Sequence, residues 1–171
     1  REFGFLVRSG RAVLFPVYQG TYERRRPNAV RGPSFLRDLL TQRGRDVRRS
    51  IDFLETRSDI DRTRLAYYGL SMGADMGAIV GAVEDRFKAL VLVAGGLSDG
   101  LPEEVDIVHF APRVRRPVVM INGRHDFTEP LEASQRPLFR LLGTPEPDKR
   151  HVLFESGHVA PWPSVVKESL D

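Results

Sequence analysis

A chain of 171 residues, 41% hydrophobic and 29% charged, is long enough to bury one sizeable core and reads as a single domain over residues 1–171. The absence of cysteine excludes a disulfide scaffold, a thiolate zinc site, an iron–sulfur cluster and a thiol nucleophile. The net charge of +3 hides an asymmetry, because residues 1–50 hold twelve Arg against Glu2, Glu23, Asp38 and Asp46. That half-basic layout is scattered, its longest run being Arg24-Arg25-Arg26, and no nucleic-acid-binding motif accompanies it. It predicts solvated helix faces and an interface, and no nucleic-acid partner. Apolar stretches such as residues 89–94 fall far short of the roughly 20 residues of a membrane span. With no secretory signal pattern either, the expected location is cytoplasmic, away from membranes. The sequence opens at Arg1 on an apolar segment, as a piece of something longer would.

Apolar runs alternate with amphipathic segments, the pattern of βαβ units and a mostly parallel sheet. The first candidate strand is 12–17. Ser34, after Pro33, is a candidate N-cap, and Leu36, Leu40, Val47, Ile51 and Leu54 then share one face of a long helix. A strand at 65–68 leads into a helix at 72–83, and a strand at 89–94 follows. Pro102, Pro112 and Pro117 make 97–117 a lid-like connection. A strand at 118–122, a helix over 131–142, a strand at 151–155 and a short helix after Pro163 complete the chain. Several strands are apolar at consecutive positions, as strands covered on both faces are.

The sharpest chemical signal is Gly69-Leu70-Ser71-Met72-Gly73, directly between a strand and a helix. In that setting G-x-S-x-G describes a tight elbow that holds a serine hydroxyl above the sheet edge. Gly69 and Gly73 are expected to be small because strand and helix approach closely there. Gly73, Gly77 and Gly81 also have a packing explanation, and the two readings coexist. The helix N-terminus adds partial positive charge and unpaired N–H groups beside a developing oxyanion, the Met72 N–H among them.

A nucleophilic serine needs a base. Among the four histidines, His151 begins an apolar strand, His109 lies in the Pro-rich connection and His125 adjoins a strand end. His158, in Glu155-Ser156-Gly157-His158, follows a strand and so reaches the edge where ligands bind in open α/β sheets. The orienting carboxylate is expected after an intervening strand, and Asp126 in Asn122-Gly123-Arg124-His125-Asp126 fits. Glu129 and Glu155 are the alternatives, the first beyond the expected turn and the second close to His158 in sequence. The order Ser71, Asp126, His158 matches one known catalytic scheme.

On these residues the chain resembles the α/β-hydrolase superfamily, in its dienelactone-hydrolase and prolyl-oligopeptidase-like branch. The pieces are Ile60-Asp61 and Arg64-Leu65 leading into the Ser71 elbow, Asn122-Gly123 with Asp126 and Pro130, and Ser156-Gly157-His158. The segment from Ala12 to Tyr18, with Gly20-Thr21-Tyr22, is similar to bacterial hydrolase domains found fused to serine/threonine kinases. The resemblance implies a three-layer α/β/α sandwich lacking the family's usual first strands, with residues 2–9 as the helix that follows the third. It implies a serine hydrolase of small acyl esters, working through an acyl-enzyme on Ser71 with a Ser71–His158–Asp126 triad. An acyltransferase side activity, a peptidase of prolyl-oligopeptidase type and a non-catalytic interaction module are the other readings. Dienelactone hydrolases themselves use cysteine, so Ser71 points to esterase chemistry. The loop that usually donates the second oxyanion N–H is absent, and the phenols of Tyr18 or Tyr22 are the expected substitutes. There is no H-E-x-x-H, no GxGxxG after a strand and no P-loop, so neither metal nor cofactor is expected. A sheet missing its first strands leaves an apolar edge, which predicts a homodimer.

Overall fold

The computed structural model describes residues 3–25 and 32–171. Four strands, β1 (Ala66–Leu70), β2 (Ala89–Val93), β3 (Val118–Gly123) and β4 (Lys149–Phe154), form one parallel sheet in the order β1-β2-β3-β4. The register pairs Gly69 with Leu92, Leu92 with Met120, and Ile121 with Val152. The helices are α1 (Gly4–Arg8), α2 (Phe35–Glu55), α3 (Met72–Val83), α4 (Arg136–Leu141) and α5 (Trp162–Leu170). The fold is α/β, with helices on both faces of the sheet.

Topology explains which face each helix takes. Parallel strands joined in sequential order by right-handed crossovers place every crossover on the same face. Accordingly α3 and α4, with the short turns of the 97–117 connection, join α2 over Tyr67, Leu90, Leu92, Val118 and Met120. After β4, α5 packs on the opposite face with Val93, Ile121 and Val165. Phe5 of α1 joins this second layer through edge-on ring contacts with Tyr68 and Trp162. Period-two alternation along each strand thus feeds two apolar layers.

Several expected elements appear with shifted bounds. The 65–68 strand runs on through Leu70 to the elbow, and the 72–83 helix is found as read. The helix after Ser34 is found, but the Ser34 side chain makes no capping bond. The expected 131–142 helix is split: residues 131–135 form a wider turn, in which the Gln135 N–H reaches back to the Pro130 carbonyl. Pro137, which has no N–H to donate, stands just after that junction.

The 12–17 strand is not formed. A strand needs a ladder partner, and among the described residues none lies beside this segment. It runs instead along α2, where Arg24 donates to the Val17 carbonyl (2.7 Å) and to Asp46 (2.8 Å). Residue 2 of the expected N-terminal helix and Arg26 of the basic run lie outside the described residues.

Candidate active site

Ser71 joins β1 to α3 with φ +54° and ψ −122°. Such a backbone is in the left-handed half of the map, costly for any residue with a side chain, and is held here from both sides. The Ser71 N–H donates to the Val93 carbonyl (2.8 Å), continuing the sheet ladder, while its own carbonyl accepts from Ala74 (2.7 Å) and Asp75 (3.1 Å), opening the helix. A Cβ on Gly69 would stand 2.2 Å from the Gly73 carbonyl oxygen, so Gly69 is required by the close approach. Gly73 is not: a Cβ there meets nothing within 4 Å, because the contact is made by its backbone. Farther along α3, a Cβ on Gly77 would meet Leu92 at 2.5 Å and one on Gly81 would meet Leu90 at 2.5 Å, so these two serve packing.

Three residues from three strand ends converge. The His158 Nε2 is 2.9 Å from the Ser71 hydroxyl, and its Nδ1 is 2.8 Å from Asp126 Oδ2. The other Asp126 oxygen accepts the N–H groups of Thr128 (2.8 Å) and Glu129 (3.1 Å), which fixes the carboxylate. Asp126 is buried and His158 is partly open, so the imidazole faces solvent while its partner carboxylate stays shielded. The Met72 N–H, in the first turn of α3, belongs to the donors a helix cannot satisfy internally.

The alternatives for the acid are engaged elsewhere. Glu155 binds Arg124 (2.6 Å) and the His125 Nε2 (2.9 Å), which hold its carboxyl below the usual range. Glu129 is buried and accepts the Ser134 hydroxyl, and burial raises its pKa. His151 stacks on Phe139 with ring centroids 5.3 Å apart, and burial lowers its pKa to about 4. Tyr18 packs against the core that also holds Tyr67, and burial raises its pKa. Tyr67 in turn donates to the Gly73 carbonyl (2.7 Å), just below the elbow. Tyr22 is 62% exposed, at φ +44°, with its ring edge-on to Phe15.

Two features escaped the sequence reading. Arg43 of α2 reaches over to the Met72 sulfur (2.8 Å), a pairing that no motif announces. Asp75 lies one helical turn after Ser71 and accepts from the Gly96 N–H (3.0 Å) and the Ser98 hydroxyl (3.2 Å). Its i, i+4 spacing from Ser71 was the available signal. A hollow of about 300 Å³ lies between the 12–17 segment and α2, lined by Leu14, Val17, Asp46 and Phe53, and contains no member of the Ser71 cluster. Among the described residues no group of three or more His, Asp or Glu is placed to hold a metal ion, and no helix is long and apolar enough to cross a membrane.

No family model matches this sequence, and no curated protein matches it at a significant level. Solved structures do. A cold-adapted esterase from an Arctic intertidal metagenomic library is 27% identical with a TM-score of 0.66, over 82% of this chain and 63% of the esterase. This chain therefore spans under two thirds of that esterase's length. An enol-lactonase from Burkholderia xenovorans LB400 is 18% identical with a TM-score of 0.60, over 77% of this chain and 72% of its own. An acylaminoacyl peptidase from Pyrococcus horikoshii is 19% identical, also at a TM-score of 0.60, over 72% of this chain and 25% of the peptidase. The last two share the fold. The chain has the α/β-hydrolase fold, with esterases and dienelactone hydrolase-like proteins among its structural neighbours.

Proposed function

We propose that this protein is a serine hydrolase of small acyl esters, with Ser71 as nucleophile, His158 as general base and acid, and Asp126 as the carboxylate that orients His158. The observation that carries this reading is the continuous contact from Ser71 through His158 to Asp126, at 2.9 and 2.8 Å. Ester cleavage is favoured over peptide cleavage because a neighbour with identity above a quarter is an esterase, whereas the peptidase is 19% identical.

In the proposed reaction His158 Nε2 takes the Ser71 proton as the hydroxyl oxygen attacks the ester carbonyl. Asp126 holds the Nδ1–H tautomer and balances the imidazolium. The Met72 N–H donates to the oxyanion of the tetrahedral intermediate, with a second donor assigned to the hydroxyl of Tyr18 or Tyr22. The imidazolium gives its proton to the departing alcohol, and water then repeats the sequence on the acyl-enzyme. An alcohol in place of that water would turn hydrolysis into acyl transfer. Self-association as a dimer through the β1 edge is part of the same proposal.

A fluorophosphonate probe tests the nucleophile without any assumption about substrate. The reading expects one covalent adduct, mapped by mass spectrometry to Ser71 and absent from Ser71→Ala. An unlabelled wild-type protein contradicts it.

A further inference from the structure

The Arg43 side chain joins two parts of the proposed site that lie far apart in the sequence. On one side its Nε donates to the Gln19 carbonyl (3.3 Å), in the turn that carries Tyr18 and Tyr22. On the other its Nη1 stands 2.8 Å from the sulfur of Met72, the residue directly after Ser71. The turn lies close on α2 here: Gly20, at φ +87°, would bring a Cβ to 3.4 Å from Leu39 and 3.9 Å from Arg43 Nη2.

These contacts are not an ion pair. The carboxylate one turn along α2, Asp46, is engaged by the Gln19 N–H (3.0 Å) and by Arg24 (2.8 Å). Among the described residues Arg43 is bonded to a backbone carbonyl and a thioether, and to no carboxylate. A thioether sulfur is a weak acceptor, so the bridge adds little to stability. Its effect is geometric. A guanidinium is a rigid planar fork, and two of its nitrogens engaged on different elements set the separation between those elements. Asp46 holds the turn to α2, and Arg43 carries that hold on to the first residue of α3.

We propose that Arg43 is a positioning residue for the oxyanion site, its guanidinium fixing the turn that bears the second, phenolic donor relative to the Met72 N–H. The inference rests on the hydrolase reading, in which Met72 donates one hydrogen bond to the oxyanion and Tyr18 or Tyr22 the other. Arg43 itself exchanges no proton during the reaction. Preorganised donors stabilise an oxyanion only where they already stand at the developing charge. A misplacement of about 1 Å can cost about 10²-fold in rate.

Arg43→Gln shortens the side chain and removes the fork. With p-nitrophenyl acetate the proposal expects kcat about 10–100-fold lower and KM within about twofold of wild type. The melting temperature should stay within about 3 °C, because the bonds lost are weak and partly exposed. Arg43→Lys keeps the charge but cannot hold both acceptors at once, and should remain at least about fivefold slow. A protein carrying both Tyr18→Phe and Tyr22→Phe separates positioning from general damage. With neither phenol left to position, adding Arg43→Gln should slow it further by less than about twofold. A wild-type rate in Arg43→Gln or Arg43→Lys, or the full loss repeated in the doubly substituted background, overturns the proposal. A wild type that hydrolyses no ester defeats the hydrolase reading and this inference with it, whereas an active wild type leaves the Arg43 comparison to decide the inference alone.

Discussion

The His158 imidazole stands 2.9 Å from the Ser71 hydroxyl although 87 residues separate the two in the chain. The sheet brings them together, because β1 and β4 are its two outer strands and both run parallel, so their C-terminal ends open on the same edge. Asp126, from the loop after β3, completes the line. Parallel strand order alone delivers the three side chains to one rim, and the +54° φ of Ser71 lifts its hydroxyl to meet them.

Asp126 and Glu129 differ in what their loss is expected to leave behind. Asp126→Asn keeps the shape but presents the wrong His158 tautomer, so ester hydrolysis should fall by about 10³–10⁴-fold with a normal circular dichroism spectrum. A Glu129→Gln protein should retain far more activity. If Glu129→Gln loses the rate and Asp126→Asn keeps it, the orienting acid has been misassigned.

Gly69 and Gly73 make opposite predictions despite their symmetric places in the motif. Gly69→Ala drives a methyl group to 2.2 Å from the Gly73 carbonyl, and should cost about 1–3 kcal/mol as overpacking and displace the elbow. Gly73→Ala meets nothing within 4 Å in a helical first turn, and should leave stability equal or up to about 1 kcal/mol higher. Chemical denaturation of both variants, read beside their esterase rates, checks this contrast.

Burial sets a pH dependence of stability whose sign differs between two groups. Asp75 has a folded-state pKa raised from 3.8 to about 7, so the folded state holds its proton more tightly and stability falls as pH rises from about 4 to 7. His151 has its pKa lowered from 6.5 to about 4. The unfolded state then binds more protons in that window, and stability falls as pH drops through it. Asp75→Asn should therefore gain in relative stability at pH 8 against pH 5, and His151→Phe should gain at pH 5 against pH 8. Urea titrations at both pH values report the two differences, and equal shifts at both would contradict the assignment.

The two candidate phenols are distinguishable by kinetics. Loss of one oxyanion donor costs on the order of 10²–10³ in kcat, and the proposal expects that loss from Tyr18→Phe or from Tyr22→Phe. Wild-type rates in both variants would place the second donor elsewhere.

The open edge of β1, with the half-exposed apolar side chains of Val13, Phe15 and Val17 on the 12–17 segment, supports a homodimer. Size exclusion with light scattering should return twice the chain mass at micromolar concentration. An active species of single-chain mass would refute the dimer.

Much of this arrangement was legible in the sequence, for identifiable reasons. Consecutive apolar residues at 89–93 and 118–121 marked strands covered on both faces, and the Gly-rich elbow marked its own place between strand and helix. Residues 12–17 have the same apolar pattern and form no strand, because pairing depends on a neighbour and not on the segment itself. The break at Gln135 reflects Pro137, whose missing N–H outweighed an otherwise helical pattern. Asp75 went unread since an acidic residue in a helix's first turn has an ordinary electrostatic explanation. Its link to Gly96 and Ser98 exists only once β2 lies beside β1.

The central claim is that Ser71 attacks an ester carbonyl. Its most direct measurement is the steady-state hydrolysis of p-nitrophenyl acetate and butyrate by wild type and by Ser71→Ala, with circular dichroism confirming that both are folded. The account predicts saturable hydrolysis by wild type and a rate at the uncatalysed background for Ser71→Ala. Equal turnover by the two proteins would contradict it.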